Sequence, residues 1–140
     1  ISVKNGATLT VDVTNAVVGT LNLGINSGVT NGHGILAFSN GTSALNVTTS
    51  LVIGNGAKTG SISMASGGTL SLGGTVTVTQ AGTWTPGTGT VNYKGVAQTL
   101  PTTFMTAYNN LTLSGSGAKT IATTPTVKAY SPWKALPQLS

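Results

Sequence analysis

The feature that most constrains this chain is its division into short segments in which aliphatic residues alternate with Thr, Ser or Asn. Examples are TLSL at 69–72, TVTV at 75–78 and NLTL at 110–113. Such alternation is typical of half-buried β-strands, because successive side chains of a strand point to opposite faces. Gly, Asn or Ser separate the segments, which begin roughly 7 to 10 residues apart over the middle of the chain. The pattern predicts an all-β protein.

Two architectures accommodate many short strands. In an antiparallel β-sandwich the strands pair through hairpins around a bulky core. In a parallel β-helix (β-solenoid) each strand pairs with the strand one coil away, around a narrow aliphatic core. Aromatic and charged residues each make up 5% of the chain, and Gly occurs 20 times. This composition favours the solenoid, which we expect to be right-handed, with three strands in each coil of roughly 20 to 30 residues and about five or six coils.

The alternation ends near residue 128, so we expect a solenoid domain over 1–128 and a C-terminal tail over 129–140. The tail contains two aromatic residues and two prolines, which interrupt ladder pairing. It is interpreted as a cap or docking segment. The N-terminal segment has only Lys4 and Asp12 to protect a strand edge from pairing with another chain. The predicted assembly residues are therefore Ile1, Val3, Tyr130, Pro132, Trp133 and Leu136.

The charge inventory argues against several classes of function. Asp12 is the only acid and His33 the only histidine, and the chain has no cysteine. We therefore predict no enzyme activity, no metal site and no cofactor. The net charge of +5 comes from six lysines scattered along the chain, whereas nucleic-acid binders concentrate their charge, so no nucleic-acid partner is expected. No apolar run is long enough to predict a membrane-spanning helix.

Part of the chain resembles a known kind of repeat. The stretches GTWTPGTGTVNYKG at 82–95, AQTL at 97–100 and YNNLTLSG at 108–115 are similar to repeat units of large secreted bacterial surface proteins. Those adhesin-like proteins have the texture of filamentous-haemagglutinin and autotransporter-passenger segments. The resemblance covers residues 82 to about 120 and implies a β-helical fold, an extracellular or cell-surface location and a role in adhesion or in a surface matrix. It implies no catalytic residues.

These observations together predict a structural or adhesive protein that forms a homo-oligomer or filament through end-to-end or strand-donating contacts, or that belongs to a large adhesin. An alternative is a carbohydrate-binding module that binds surface glycans by stacking sugar rings on Trp84, Tyr93 and Tyr108. A third reading is ice binding by Thr-x-Thr pairs such as Thr75 and Thr77, which requires the pairs to recur in register from coil to coil.

Overall fold

The computed structural model describes residues 1–4, 6–25 and 33–128. These residues form fifteen short β-strands and no helix. The strands are β1 Ser2–Lys4, β2 Thr8–Val11, β3 Ala16–Ile25, β4 His33–Phe38, β5 Ala44–Ile53, β6 Thr59–Ser63, β7 Thr69–Leu72, β8 Thr75–Val78, β9 Ala81–Thr85, β10 Thr90–Tyr93, β11 Gln98–Thr99, β12 Ala107–Tyr108, β13 Asn110–Leu113, β14 Lys119–Thr120 and β15 Thr126–Val127.

Every ladder between these strands is parallel. One sheet has the order β1-β3-β5-β7-β10-β13, with β8 also paired to β5, and a second has the order β2-β4-β6-β9. β11 pairs with β14, and β12 pairs with β15. The only antiparallel contact among the described residues is an isolated bridge between Asn55 and Lys58. The fold is thus a parallel β-solenoid, as predicted, and the antiparallel sandwich is wrong.

Each turn of the solenoid has three strand positions, which we call first, second and third. β7, β8 and β9 occupy these positions in one turn, and β10, β11 and β12 in the next. β3 and β5 are longer because each bends at a register shift and fills both the first and the second position. The offset between paired residues ranges from 19, for Ala107 with Thr126, to 30, for Leu21 with Leu51, which is close to the predicted coil length.

The structure has about four turns, so the predicted count of five or six is too high. The reason is that the strands at the two ends form only partial turns. β1 and β2 occupy the second and third positions without a first-position strand before them. After β13, the strands β14 and β15 are each two residues long.

Because the side chains of a strand alternate between its two faces, every second side chain points into the core. In the first position the inward column runs through Leu45, Leu70 and Val91, and a second column through Val47, Leu72 and Tyr93. All six side chains are buried. Columns of this kind remove apolar surface from water along the whole length of the stack, which is the main source of solenoid stability.

Glycine is required where two turns approach backbone to backbone. Gly24, at the end of the second position, has a φ of +72°, and a Cβ atom there would lie 2.1 Å from the carbonyl oxygen of Thr59. Gly54 stands in a similar place one turn later, with a φ of +76° and the Gln80 carbonyl oxygen 2.2 Å from a Cβ. A side chain at either position would push the turns apart.

Candidate functional site

The N-terminal end of the solenoid presents two strand edges that no described residue pairs with. β1 pairs only with β3, and β2 only with β4. The amides of Ile35 and Ser39 donate to the carbonyl oxygens of Ala7 and Val11, so Ala7, just before β2, and Val11, its last residue, turn their main-chain groups toward the stack. These groups alternate in direction along a strand, so those of Thr10 turn away from it. An edge of free N–H and C=O groups is a template for pairing with another strand.

Exposed apolar side chains are concentrated at the two ends. We define the N-terminal end as residues 1–17 and the C-terminal end as residues 110–128. Among the described residues, six of the seven large exposed hydrophobic side chains lie in these two ranges. The seventh is Val96, near the corner between β10 and β11. The six are Ile1, Val13, Val17, Leu113, Ile121 and Val127.

Two of the predicted assembly residues can be placed, and they differ in their surroundings. Ile1 is 60% exposed, and its amino group donates to the Thr20 carbonyl oxygen. Val3 is buried and pairs with Leu23, so its side chain belongs to the core rather than to a contact surface. Tyr130, Pro132, Trp133 and Leu136 lie outside the described residues.

The three aromatic residues proposed to stack on sugars cluster together with Phe104. The rings of Tyr93 and Tyr108 meet edge to face with centroids 6.5 Å apart, and both side chains are fully buried. Trp84 is half-buried, contacts Phe104 and Tyr108, and donates its Nε1 hydrogen to the Ala107 carbonyl oxygen at 2.5 Å. The Tyr93 and Tyr108 rings are enclosed, so neither offers a face to a glycan. This geometry serves to close the core where β11 and β12 are short.

The buried tyrosine pair is held by a hydroxyl contact. The Tyr93 and Tyr108 Oη atoms are 3.1 Å apart. Burial raises the pKa of Tyr93 far above its usual value, and the neighbouring Tyr108 raises it further. Burial also raises the pKa of Tyr108, against a smaller lowering by the hydrogen bond from Tyr93. Both hydroxyls are therefore neutral over the whole range in which an exposed tyrosine is neutral.

The loop between β11 and β12 supplies much of this closure. Leu100, Phe104 and Met105 are buried although no alternation marks them in the sequence. Met105 has a φ of +55° and is the only described residue other than glycine with a positive φ. A long side chain in the left-handed region is costly. Its burial offsets that cost and holds the loop against the core.

A shallow uncharged groove lies on the second position between β8 and β11. A cavity of about 300 Å³ is lined by residues that include Thr75, Val76 and Thr99. Gln98 closes one end of it: the side-chain amide donates to the carbonyl oxygens of Leu72 and Gly74 and accepts from the Gly95 amide. The buried Gln98 side chain thus replaces main-chain pairing between these turns. The groove is therefore a gap between two turns, and the side-chain amide of Gln98 bridges it.

The outward faces are polar and nearly free of charge. Strands β3 to β13 contain no Asp, Glu, Lys or Arg. In the first position, Thr69 lies beside Thr90 and Thr90 beside Asn110, so threonine and asparagine share a column. In the second position Thr75 and Thr77 lie beside Ser50 and Val52. Thr-x-Thr pairs do not recur in register from turn to turn, which is what the ice-binding reading requires.

Other residues with chemical potential are dispersed. Within the described ranges, no three His, Asp or Glu side chains stand close enough to share a metal ion. His33 is exposed at the start of β4 and contacts the Thr59 hydroxyl. The same ranges hold no helix of the length and hydrophobicity needed to span a membrane. The two solenoid ends are therefore the best-defined candidate site.

Comparisons of the sequence with family models, with curated proteins and with solved structures return no match.

Proposed function

We propose that this chain is a structural, non-catalytic extracellular protein: a self-assembling subunit of a surface filament, or a module of a large adhesin. The observation that carries the proposal is the pair of strand edges at the N-terminal end, β1 and β2, with which no strand of the described residues pairs. Natural solenoids cover such edges with polar caps. Here the edge is flanked by exposed Ile1 and Val13, and contact with another strand edge would cover both.

The rest of the molecule is consistent with a building element. Parallel ladders satisfy the main-chain hydrogen bonds from turn to turn, and the inward columns give the stack a continuous core. The extracellular location is supported by the resemblance of residues 82 to about 120 to repeats of secreted surface proteins. The uncharged outward faces provide area for contact with neighbouring molecules.

The edge of β2 can be blocked without breaking the internal ladder. We expect Thr10→Pro to prevent assembly, because proline removes the outward N–H and places a ring on the free edge. Thr10→Val keeps the N–H and the branched side chain and is the matched control. Sedimentation velocity and negative-stain electron microscopy measure assembly, and circular dichroism checks that both variants fold.

We expect the unmodified chain and Thr10→Val to form elongated particles, and Thr10→Pro to remain monomeric. A chain that stays monomeric at high concentration would rule out the self-assembling subunit, the first of the two forms of the proposed function. Assembly of Thr10→Pro to the same extent as Thr10→Val would show that the β2 edge is not the contact.

The tail is a separate part of the proposal. We expect a chain that ends at residue 129 to assemble more weakly, because the tail is proposed to engage a neighbouring copy. The truncation removes none of the fifteen described strands. Sedimentation at matched concentrations measures the change, and unchanged assembly would rule out a role for the tail.

A further inference from the structure

We propose that assembly is head-to-tail: the N-terminal end of one copy receives the C-terminal end of a second copy, and Lys128 comes beside Asp12. This inference rests on the proposed function and names the partner of that site. Three observations carry it: strand direction, strand position and charge.

The direction of the strands distinguishes head-to-tail contact from contact between two like ends. All ladders of the stack are parallel. A second copy added head-to-tail brings strands that run in the same direction, so the ladders of the second and third positions continue in the parallel sense. Two N-terminal ends can face each other only if one copy is reversed, which pairs β1 and β2 antiparallel with their counterparts. The head-to-tail contact is an open heterologous one and produces a polar filament.

Strand position matches in the same arrangement. The last turn ends with β14 in the second position and β15 in the third, and the chain begins with β1 in the second and β2 in the third. Among the described residues, β14 pairs only with β11 and β15 only with β12. The amides of Thr126 and Lys128 donate to carbonyl oxygens of the preceding turn, so the main-chain groups of Val127 turn outward, as those of Thr10 do.

One pair of opposite charges is available between unlike ends, and this pair sets the register. Asp12 directly follows β2, and Lys128 directly follows β15; both are exposed. Alignment of Val127 with Val11 places the Lys128 ammonium beside the Asp12 carboxylate. Asp12 is the only acidic side chain of the chain, so two C-terminal ends offer Lys128 no carboxylate side chain to pair with.

The axial repeat follows from the number of layers. The second and third positions each contain six strands in one copy. With about 4.8 Å between parallel strands, a head-to-tail filament repeats every 29 Å or so, roughly six layers. Electron micrographs or fibre diffraction of the assembled chain measure this spacing.

Two end-blocked variants test the polarity. Thr10→Pro blocks the N-terminal end, and Val127→Pro blocks the C-terminal end; Thr10→Val and Val127→Thr are the controls. Each blocked variant alone is expected to be monomeric, and an equimolar mixture is expected to form a one-to-one dimer and nothing longer. Dimers of Val127→Pro alone would show head-to-head contact, and dimers of Thr10→Pro alone tail-to-tail contact; either result, or a mixture that stays monomeric, overturns the inference. A monomeric unmodified chain overturns the proposed self-assembly itself.

Charge reversal tests the register. Asp12→Lys is expected to raise the concentration needed for assembly severalfold, and the double change Asp12→Lys with Lys128→Asp is expected to restore it. Asp12→Lys with Lys94→Asp is the control, because Lys94 is exposed and away from both ends, so Lys128 still faces a like charge. Equal restoration by both double variants would overturn the pairing of Lys128 with Asp12, while the blocked variants continue to report on polarity.

Discussion

Alanine at position 24 is expected to destabilise the fold by about 4 kcal/mol or more, a large part of the stability of a domain of this size. Gly24 has a left-handed φ of +72°, and an added Cβ would lie 2.1 Å from the Thr59 oxygen and 2.5 Å from its carbonyl carbon. Both are backbone atoms that rotation of a side chain cannot move. The clash can therefore be relieved only if the two turns move apart.

Gly6 offers a matched control because its φ, +76°, is almost the same, while a Cβ there meets no heavy atom within 4 Å. Gly6→Ala should cost only the left-handed conformation, about 1 to 2 kcal/mol. The difference between the two variants isolates the cost of the close approach. Urea unfolding followed by circular dichroism measures both, and losses equal to within about 1 kcal/mol would contradict the account of the corner.

The second large effect is expected at alkaline pH. The pKa values of the buried Tyr93 and Tyr108 are raised, whereas the unfolded chain ionises its tyrosines near pH 10. Below pH 10 both states keep these protons and stability is unaffected. Above it the unfolded state loses protons that the folded state retains. The free energy of unfolding then falls by at most about 1.4 kcal/mol per pH unit for each tyrosine that stays protonated in the folded state, and by at most about 2.7 kcal/mol for the pair.

A double variant separates the contribution of the tyrosine pair to the pH dependence of stability from that of the other titratable groups. Tyr93→Phe with Tyr108→Phe removes both hydroxyls, and replacement of both hydrogen-bond partners by apolar groups of the same shape is close to neutral. We expect similar stability at pH 7 and loss of the tyrosine contribution to the slope above pH 10. Urea unfolding at intervals from pH 8 to pH 11 supplies the measurement. The same slope in the double variant would show that the pair does not govern alkaline unfolding.

Alternation in the sequence was sufficient to predict the solenoid and the facing of most strands. It also contained a signal that the glycan hypothesis overlooked. In TVNY at 90–93 the inward Val91 is two residues before Tyr93, so period-two facing already places Tyr93 in the core. The glycan hypothesis grouped the aromatic residues by type and ignored which face of its strand each one occupies. It therefore predicted an exposed ring for Tyr93.

Other parts of the structure had no such signal. The loop between β11 and β12, which buries Phe104 and Met105, has no periodicity. Its conformation is set by the space left inside the turn formed by β10, β11 and β12. Gln98 is polar, and its burial depends on two carbonyl oxygens more than twenty residues earlier in the chain. The number of turns depends on where pairing stops at each end, which depends on tertiary contacts that the local sequence does not encode.

The pairing of each strand only with its neighbours in adjacent turns has a mechanical consequence. Tension applied between the two ends of the stack acts on the outermost turn, and detaching that turn leaves the remaining ladders intact. The protein should therefore extend in successive small steps, each freeing the 19 to 30 residues of one turn, or about 70 to 100 Å of extended chain. A rod of this construction lengthens under load and dissipates work at each step instead of failing at once.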